Sequence, residues 1–406
     1  MKRLEGGVTA PKGFMASGIR AGVKKEGRDV ALVYSTREAN VAATFTTNVV
    51  KAAPVVLSQE TVGKRPVGRA VVINSGNANA CTGDVGLRDA AQMRESVAVG
   101  LGIANRDVLV ASTGVIGVPL PIETVCAGIR TACAELGETR EAGTAAAEAI
   151  MTTDTYVKEM AVSVEIDGKT VTVGGMAKGS GMIHPNMATM LAVLTTDGSV
   201  DAATLQALLR ETVADTYNMI SVDGDTSTND TVFMMANGLA GNDTVTGTHP
   251  DYGVFRDAVR YVCTFLAKRI VGDGEGASKL LEVQVSGAAT STDARVLAKS
   301  VINSNLVKTA FFGEDANWGR ILAAMGYSGA SFDAAGVSIA FESAAGRIDL
   351  MKAGEPERFD EDVASGILKE REIVIDIHLR DGDGRATAWG CDLSYDYVRI
   401  NGDYRT

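Results

Sequence analysis

Short runs rich in valine, isoleucine and alanine recur along this 406-residue chain, and turn-forming residues bound each of them. Such runs predict strands, and they lie at residues 29–35 (DVALVYS), 41–46, 69–74 (RAVVIN), 108–111, 160–166, 169–173, 280–285 and 372–379 (EIVIDIHL). Asp167-Gly168 separates two of these strands with the spacing and residue types of a type I′ hairpin. Because a strand must bury at least one face, the chain needs helices or a second sheet to cover so many strands.

Segments with helical periodicity alternate with the predicted strands. They lie at residues 86–100, 121–136, 138–150, 201–217 and 251–269. Residues 74–83 (NSGNANACTG) are packed with turn formers and predict a loop. Helices and strands are mixed from end to end, so the pattern predicts an α+β layered sandwich, and it leaves the strand order open.

Composition excludes several functional classes. A net charge of −11 argues against a nucleic-acid binder, which would carry a basic surface. No run of about 18 apolar residues is present to span a membrane, and the N-terminal residues lack the apolar core of a secretory signal. We therefore expect a cytoplasmic protein.

Cysteine and histidine spacing gives no sign of a metal site. The five cysteines are odd in number and no pair has CxxC spacing, so we expect buried, reduced thiols, with Cys126 and Cys133 packing on one helix face. None of the three histidines has metal-ligand spacing to another histidine or a cysteine. The glycines of residues 272–276 follow a helical pattern rather than a strand, unlike a dinucleotide-binding loop. We expect no metal and no organic cofactor.

The segment at residues 174–197 carries the most chemical information. Four glycines precede the small residue Ala188, and Thr189 then opens an apolar run. A threonine hydroxyl can attack the carbonyl of the preceding residue when that peptide is strained, which leaves a new N-terminal threonine. Its α-amine, with a pKa of about 7.7–8.0, can act as base for its own hydroxyl. On local composition alone, a glycine-rich loop entering a core strand explains the same residues.

A longer set of motifs resolves this choice. They are GGVTAPKGF, NSGNANACTG, STGVIG, MTTDT, KGSGMIHPNMATML, SVDGDTSTND, GEGASK, FFGEDANWGR and the ending NGDYRT. Together, in this order, they resemble the ornithine acetyltransferase family, bifunctional enzymes of arginine biosynthesis. The resemblance covers essentially the whole chain.

The resemblance implies a fold like that of the N-terminal-nucleophile hydrolases. It also implies a cut between Ala188 and Thr189, giving an α chain (residues 1–188) and a β chain (residues 189–406) that form one intertwined catalytic unit. Family members usually assemble from two α and two β chains. Their reaction moves an acetyl group from N2-acetyl-L-ornithine to L-glutamate by a ping-pong mechanism, here through Thr189.

The family's site residues map onto this sequence one by one. Thr113 and Gly114 match its oxyanion pair. The substrate-binding positions correspond to Thr152, Lys178, Thr189, Glu275, Asn401 and Thr406. Without the resemblance, Thr113-Gly114 would be an ordinary turn after a strand, and Lys178 and Glu275 would be solvated surface charges.

Two other functions remain as alternatives. A related self-cleaving aminopeptidase or amidase would transfer its acyl group to water, and an uncleaved chain would point to a binding protein. Within the family, some members also take acetyl groups from acetyl-CoA. The sequence leaves open whether this chain does.

Overall fold

The structure, a computed structural model, describes residues 1–184 and 190–403. Along these residues the strands are β1 (Lys2–Leu4), β2 (Phe14–Ile19), β3 (Val30–Phe45), β4 (Val67–Asn77), β5 (Val108–Val115), β6 (Lys158–Ile166), β7 (Lys169–Lys178), β8 (Leu191–Thr196), β9 (Ile220–Ser221), β10 (Thr231–Ala236), β11 (Leu280–Ala288), β12 (Ser338–Ser343), β13 (Gly346–Lys352), β14 (Glu355–Pro356), β15 (Glu372–His378) and β16 (Gly384–Cys391). The α-helices are α1 (Ala53–Lys64), α2 (Gly83–Leu101), α3 (Ile122–Ala134), α4 (Arg140–Ala149), α5 (Ala202–Asp215), α6 (Tyr252–Val271), α7 (Ser291–Asn303), α8 (Asn305–Phe312), α9 (Trp318–Gly326), α10 (Glu361–Leu368) and α11 (Tyr395–Asp403).

The chain divides into two compact units, and neither is a continuous stretch of sequence. Unit 1 contains Met1–Gly179, residues 190–214 and Asp225–Leu266. Unit 2 contains Ser180–His184, Asp215–Gly224 and residues 267–403. Unit 1 therefore takes residues from both sides of the predicted cut.

Unit 1 is built on a nine-stranded mixed sheet. Its order is β1-β6-β7-β8-β10-β3-β4-β5, and β2 pairs with the first half of β3. The pairs β4–β5 and β8–β10 are parallel, and the others are antiparallel. Strands β8 and β10, which follow the predicted cut, lie between β7 and β3 in this sheet.

Both faces of the central strands of unit 1 are buried. Successive side chains of a strand point to opposite faces. Ala31 and Val33 of β3 accordingly pack in one apolar core with α4, and Val30 and Leu32 pack in another with α2 and α3. This explains why the start of β3, VALVY, reads as a continuous apolar run rather than an alternating one.

Unit 2 contains a seven-stranded mixed sheet with the order β14-β13-β12-β15-β11-β16-β9. Helix α7 packs on β11 and β16. In β15, Ile373, Ile375 and Ile377 are buried and alternate with more exposed residues. The strand predicted at residues 372–379 is thus confirmed.

Several predicted boundaries were wrong. The two strands predicted at 29–35 and 41–46 are the single strand β3, whose pairing with β4 shifts register between Tyr34 and Ala39. Strand β4 continues to Asn77, into the predicted loop, and β5 continues to Val115 rather than ending at Ala111. The predicted type I′ hairpin is confirmed, because Asp167 and Gly168 both have positive φ, 50° and 67°.

The predicted α+β layered arrangement of sheets and helices is confirmed. The five cysteines are free thiols, but only Cys263 and Cys391 are buried; Cys126 and Cys133 are half-buried and Cys81 is exposed, so the expectation of five buried thiols was wrong. Cys126 and Cys133 do share α3, where burial raises the pKa of Cys133 to about 11. Among the helices of the described residues, none is long and apolar enough to cross a membrane.

Gly18 gives a direct test of the packing between α4 and β2. A Cβ at this position would lie 1.8 Å from the carbonyl oxygen of Ala145 in α4, and a backbone atom cannot move away cheaply. We expect Gly18→Ala to lower the free energy of unfolding by about 1–3 kcal/mol or more, measured by urea denaturation. Gly63→Ala in α1 is the control, because nothing lies within 4 Å of its Cβ and alanine favours a helix. Equal stability of the two variants would contradict the packing described here.

Candidate active site

Three of the predicted site residues meet in unit 1. Lys178 is the last residue of β7 and pairs with Leu191 of β8. Its Nζ donates to Thr152 Oγ1 at 2.7 Å and to Thr113 Oγ1 at 3.3 Å. Because each hydroxyl accepts from the lysine, its own hydrogen stays available to donate to another group. Lys178 is buried and so is not the surface charge that its residue type suggested.

A buried carboxylate that the sequence analysis missed holds this group together. Asp154 Oδ1 accepts from Lys158 Nζ at 2.7 Å and from the Gly179 N–H at 2.7 Å, and Oδ2 accepts from the Thr152 N–H at 3.0 Å. The side chains of Asp154 and Lys158 are both 0% exposed. Asp154 therefore fixes the backbone on both sides of the contact between Lys178 and Thr152.

The charge of Asp154 is maintained by its neighbours. Burial alone would raise its pKa, but the positive charges of Lys178 and Lys158 and the donated hydrogen bonds lower the pKa from 3.8 to about 2. Since the folded-state pKa lies below the unfolded value, this carboxylate stabilises the fold above pH 3.8, and the contribution is lost as pH falls toward 2. In sequence the pair reads as an ordinary i,i+4 surface ion pair, which is why it was missed.

Thr113 and Gly114 lie at the carboxyl end of β5, beside β4. Gly114 has φ 130° and pairs with Gly76, and a Cβ on Gly114 would lie 2.4 Å from the carbonyl carbon of Gly76. Glycine is required here because the two backbones approach so closely. The β4–β5 pairing is irregular at Asn77, which opposes both Thr113 and Val115. Irregular pairing of this kind redirects groups at the end of a sheet.

Asparagines from two of the sequence motifs support this strand end. Ser112 Oγ donates to Asn74 Oδ1 at 2.5 Å, and Asn74 Nδ2 donates to the carbonyl of Asn77 at 2.9 Å. Asn229 Nδ2 donates to the carbonyls of Ser112 at 2.8 Å and Ala78 at 2.6 Å. All four polar residues are buried. The motifs NSGNANACTG and SVDGDTSTND thus provide the hydrogen bonds that hold Thr113 in place.

Lys24 is a second residue that the sequence analysis missed. Its Nζ donates to the carbonyl of Met151 at 2.8 Å, and its Cγ would lie 2.8 Å from a Cβ on Gly76. Burial lowers the pKa of Lys24, Asp29 and Asp154 raise it, and Lys178 lowers it. Lys24 thus belongs to the same electrostatic group as Lys178, although nothing in its sequence context distinguishes it from a surface lysine.

Two more predicted residues meet in unit 2. Asn401 Nδ2 donates to Glu275 Oε2 at 2.8 Å, and the Glu275 N–H donates to the carbonyl of Ser180 at 2.9 Å. A Cβ on Gly181 would lie 2.4 Å from the Glu275 carboxyl carbon. Glycine at 181 therefore makes room for this carboxylate. Asn401 lies on helix α11, and Thr406 lies outside the described residues.

Ala188 and Thr189, the predicted cleavage pair, also lie outside the described residues, but both flanks of the segment are described. In unit 2, the Asp223 carboxylate accepts from the N–H groups of Met182 at 2.6 Å and Ile183 at 2.8 Å. Met182 has φ 56°, which is unusual for a residue with a side chain. In unit 1, the Met190 carbonyl accepts from the Thr231 N–H at 3.1 Å. Each flank is therefore fixed within its own unit.

His184 ends the first flank. Its Nδ1 lies 3.1 Å from Ser221 Oγ, which donates to Asn303 Oδ1 at 3.0 Å. Burial, together with the charge of Lys299, lowers the pKa of His184 to about 4. The imidazole is therefore neutral at physiological pH.

Asp167, His249 and Asp251 are close enough together to be considered as metal ligands. However, His249 Nδ1 accepts from the Asp251 N–H at 3.0 Å, and Nε2 lies 3.2 Å from Asp167 Oδ2. Because both ring nitrogens of His249 already contact these two aspartates, the cluster is better explained as a structural contact between the β6–β7 hairpin and the start of α6 than as a metal site.

The fold belongs to the α+β class. The buried lysine with two threonine hydroxyls beside it is a polar cluster of the kind that enzymes use in their active sites. The ArgJ family profile matches residues 15–406. The arginine biosynthesis bifunctional protein ArgJ of Caldanaerobacter subterraneus subsp. tengcongensis is 55% identical over 406 residues, covering all of both chains. That of Symbiobacterium thermophilum is 57% identical over 411 residues, again covering both chains fully.

Among solved structures, that of the arginine biosynthesis bifunctional protein argJ from Bacillus halodurans is 47% identical, with a TM-score of 0.50. The match covers 52% of this chain and 97% of that one. The chain belongs to the ArgJ family and is an enzyme of that family.

The buried Asp154 carboxylate can be tested by substitution. Asp154→Asn leaves the positive charges of Lys158 and Lys178 without their buried counter-charge, and we expect it to cost about 3–5 kcal/mol of stability, seen as a large fall in Tm. The control is Glu60→Gln, which removes an exposed i,i+4 ion pair with Lys64 and should leave Tm nearly unchanged. A similar Tm for both variants would show that Asp154 does not organise the site.

Proposed function

We propose that the chain is a glutamate N-acetyltransferase that moves the acetyl group from N2-acetyl-L-ornithine to L-glutamate through an acetyl ester on Thr189. The observation that carries the proposal is the contact of Lys178 with both Thr113 and Thr152, because it joins three of the predicted residues from separate segments. Membership of the ArgJ family supports the same activity.

Thr189 would become available through self-cleavage after Ala188. The Bacillus halodurans match supports this: it covers 97% of that solved chain but only 52% of this one, so that chain is about half as long. Curated relatives, in contrast, match over their full length. The cut would give an α chain of residues 1–188 and a β chain of residues 189–406. Strands β8 and β10 would belong to the β chain while lying among α-chain strands, which supports one intertwined unit.

The reaction divides into two balanced halves. Thr189 Oγ attacks the acetyl carbon of N2-acetylornithine while its proton passes to the Thr189 α-amine. The carbon–nitrogen bond then breaks, and the ornithine nitrogen leaves with that proton. In the second half, the glutamate amine attacks the ester carbon, the carbon–Oγ bond breaks, and Oγ recovers a proton from the attacking nitrogen through the α-amine.

Thr113 and Gly114 would stabilise the negative oxygen of each tetrahedral intermediate. Thr113 Oγ1 accepts from Lys178 Nζ, so its own hydrogen is available to donate elsewhere. The close pairing of Gly114 with Gly76 holds the Gly114 backbone in one position. Hydrogen-bond donors that are already fixed in position before the reaction stabilise an oxyanion most effectively.

Substrate charges would be matched by Lys178 and Glu275. Lys178 would face a carboxylate, with Thr152 beside it. Glu275, oriented by Asn401, would face the distal ammonium of ornithine. We assign Thr406 to the same substrate contacts, on the family resemblance alone.

The subunit assembly and the cellular location of the enzyme stay predictions. We infer a heterotetramer of two α and two β chains in the cytoplasm, with no cofactor. The alternative, a related aminopeptidase or amidase, is distinguished by its acceptor. It would release free acid from its acyl-enzyme in water, whereas the transferase would retain the acetyl group until glutamate is added.

Self-cleavage is the first test. We expect the denatured enzyme to show two masses, with threonine at the N-terminus of the second chain. Thr189→Ala should remain one chain, because no hydroxyl is left to attack Ala188, and Thr189→Ser should still be cut. Intact-mass spectrometry measures both. A single full-length chain in active wild-type enzyme would rule out this mechanism.

Thr113→Ala tests the oxyanion pair. Loss of one such donor should lower kcat by about 10²–10³ with little change in KM, while Thr113→Ser should restore most of the rate. Steady-state kinetics are measured on enzyme reassembled from α and β chains that were expressed separately, so that a cleavage defect is not mistaken for a catalytic one. Normal turnover by Thr113→Ala would remove Thr113 from the mechanism.

A further inference from the structure

The loop that carries Glu275 is held by a short segment of unit 2 that is distant from it in sequence. The loop is the motif GEGASK, and the segment, residues 392–394, joins β16 to α11. Asp392 is buried, and its carboxylate accepts three hydrogen bonds from the loop. They come from the Ser278 N–H at 2.8 Å, Ser278 Oγ at 2.5 Å and the Lys279 N–H at 2.9 Å. One side chain therefore fixes the end of the loop.

A second side chain of the same segment holds the residue next to Glu275. Ser394 Oγ donates to the Gly276 carbonyl at 2.5 Å. Gly276 has φ 71°, and a Cβ there would lie 2.5 Å from the Tyr397 nitrogen, so only glycine lets the loop pass this close to α11. Since the Glu275 N–H also donates to the Ser180 carbonyl at 2.9 Å, the backbone is held on both sides of the Glu275 side chain.

The segment is itself anchored on α8. Lys308 of that helix is buried, and its Nζ donates to the carbonyl of Cys391, the residue before Asp392. The Lys308 carbonyl accepts from the N–H of Leu393, the residue after Asp392, at 3.3 Å. Contacts with one helix thus fix the chain on both sides of Asp392.

Helix α11 orients the carboxylate that the loop presents. The helix begins at Tyr395, directly after the segment, and Asn401 Nδ2 donates to Glu275 Oε2 at 2.8 Å and to the Tyr397 carbonyl at 3.1 Å. The backbone and the carboxylate of Glu275 are therefore both positioned by residues 392–401. A group that is fixed in this way before binding loses less entropy when a ligand arrives.

We propose that Asp392, assisted by Ser394, is a positioning residue that sets the preference of the enzyme for donors with a distal ammonium. Both side chains act through the loop, by holding the Glu275 carboxylate where it meets that ammonium. A charge that shifts away from its partner contributes less to binding, because the attraction falls with distance. The inference rests on the proposed function and names the residues behind its donor selectivity.

The test compares two donors that differ only in the distal amine. N2-acetyl-L-norvaline has the carbon chain of N2-acetyl-L-ornithine and lacks its ammonium. Asp392→Ala should lower the ratio of the two kcat/KM values about tenfold, through a higher KM for acetylornithine, while acetylnorvaline is used as before. Asp392→Asn should restore most of the ratio, because its Oδ1 can still accept from the two backbone N–H groups.

Asp396→Asn is the matched control. Asp396 lies four residues further on, is exposed, and pairs with Arg399 on its own helix, so its loss should leave the ratio unchanged. An equal loss of activity toward both donors in Asp392→Ala would indicate general structural damage and overturn the proposal. A wild-type ratio in that variant would overturn it as well.

Ser394→Ala keeps the buried carboxylate and removes only the bond to the Gly276 carbonyl. It should lower the same ratio by a smaller factor. If Asp392→Ala does not fold, a wild-type ratio in Ser394→Ala overturns the proposal.

Calorimetry separates the inference from the proposed function, because binding needs no turnover. Ornithine should bind about tenfold more weakly to Asp392→Ala than to wild type, while the affinity for norvaline stays the same. Ornithine binding that depends on Asp392, in an enzyme that transfers no acetyl group, would reject the proposed function alone. Normal acetyl transfer with a wild-type donor ratio in both variants would reject the role of Asp392 alone.

Discussion

The arrangement of the candidate site depends on a single buried carboxylate. Asp154 binds the side chain of Lys158 and the backbone N–H groups of Thr152 and Gly179, so one group fixes a loop, the start of β6 and the end of β7. A buried charge is costly unless it is fully paired. Here pairing is complete enough to keep the pKa near 2. The paired carboxylate also binds the N–H of Gly179, the residue after Lys178, and so holds Lys178 where its Nζ donates to two hydroxyls.

Backbone packing provides the other half of the site. Near the end of the parallel pair β4–β5, Gly114 lies so close to Gly76 that no side chain fits at position 114. Buried asparagines then satisfy the carbonyls that the irregular pairing leaves, as Asn229 does for Ser112. The direct effect of the glycine- and asparagine-rich motifs is therefore to hold the backbone at this strand end. Their chemical effect follows because they leave Thr113 at a strand end beside Lys178.

The sequence predicted the parts of the fold whose signals are local. The hairpin at Asp167-Gly168 needed only two residues with positive φ, and β15 needed only its alternation. Interactions distant in sequence were not predictable in the same way. β3 was divided because TREAN reads as polar, although pairing with β4 carries the strand through it. Asp154 and Lys24 were missed because only tertiary contacts bury the first and partly bury the second; the family resemblance identified Thr152, whose N–H donates to Asp154.

The two described flanks of the predicted cut are held by different kinds of interaction, each within its own unit. On the unit 2 side, Asp223 holds Met182 in a left-handed conformation, and Glu275 occupies the space left by Gly181. On the unit 1 side, the chain enters a central strand directly, with β8 flanked on both edges. A strand in the middle of a sheet cannot shift its register without exposing its buried side chains.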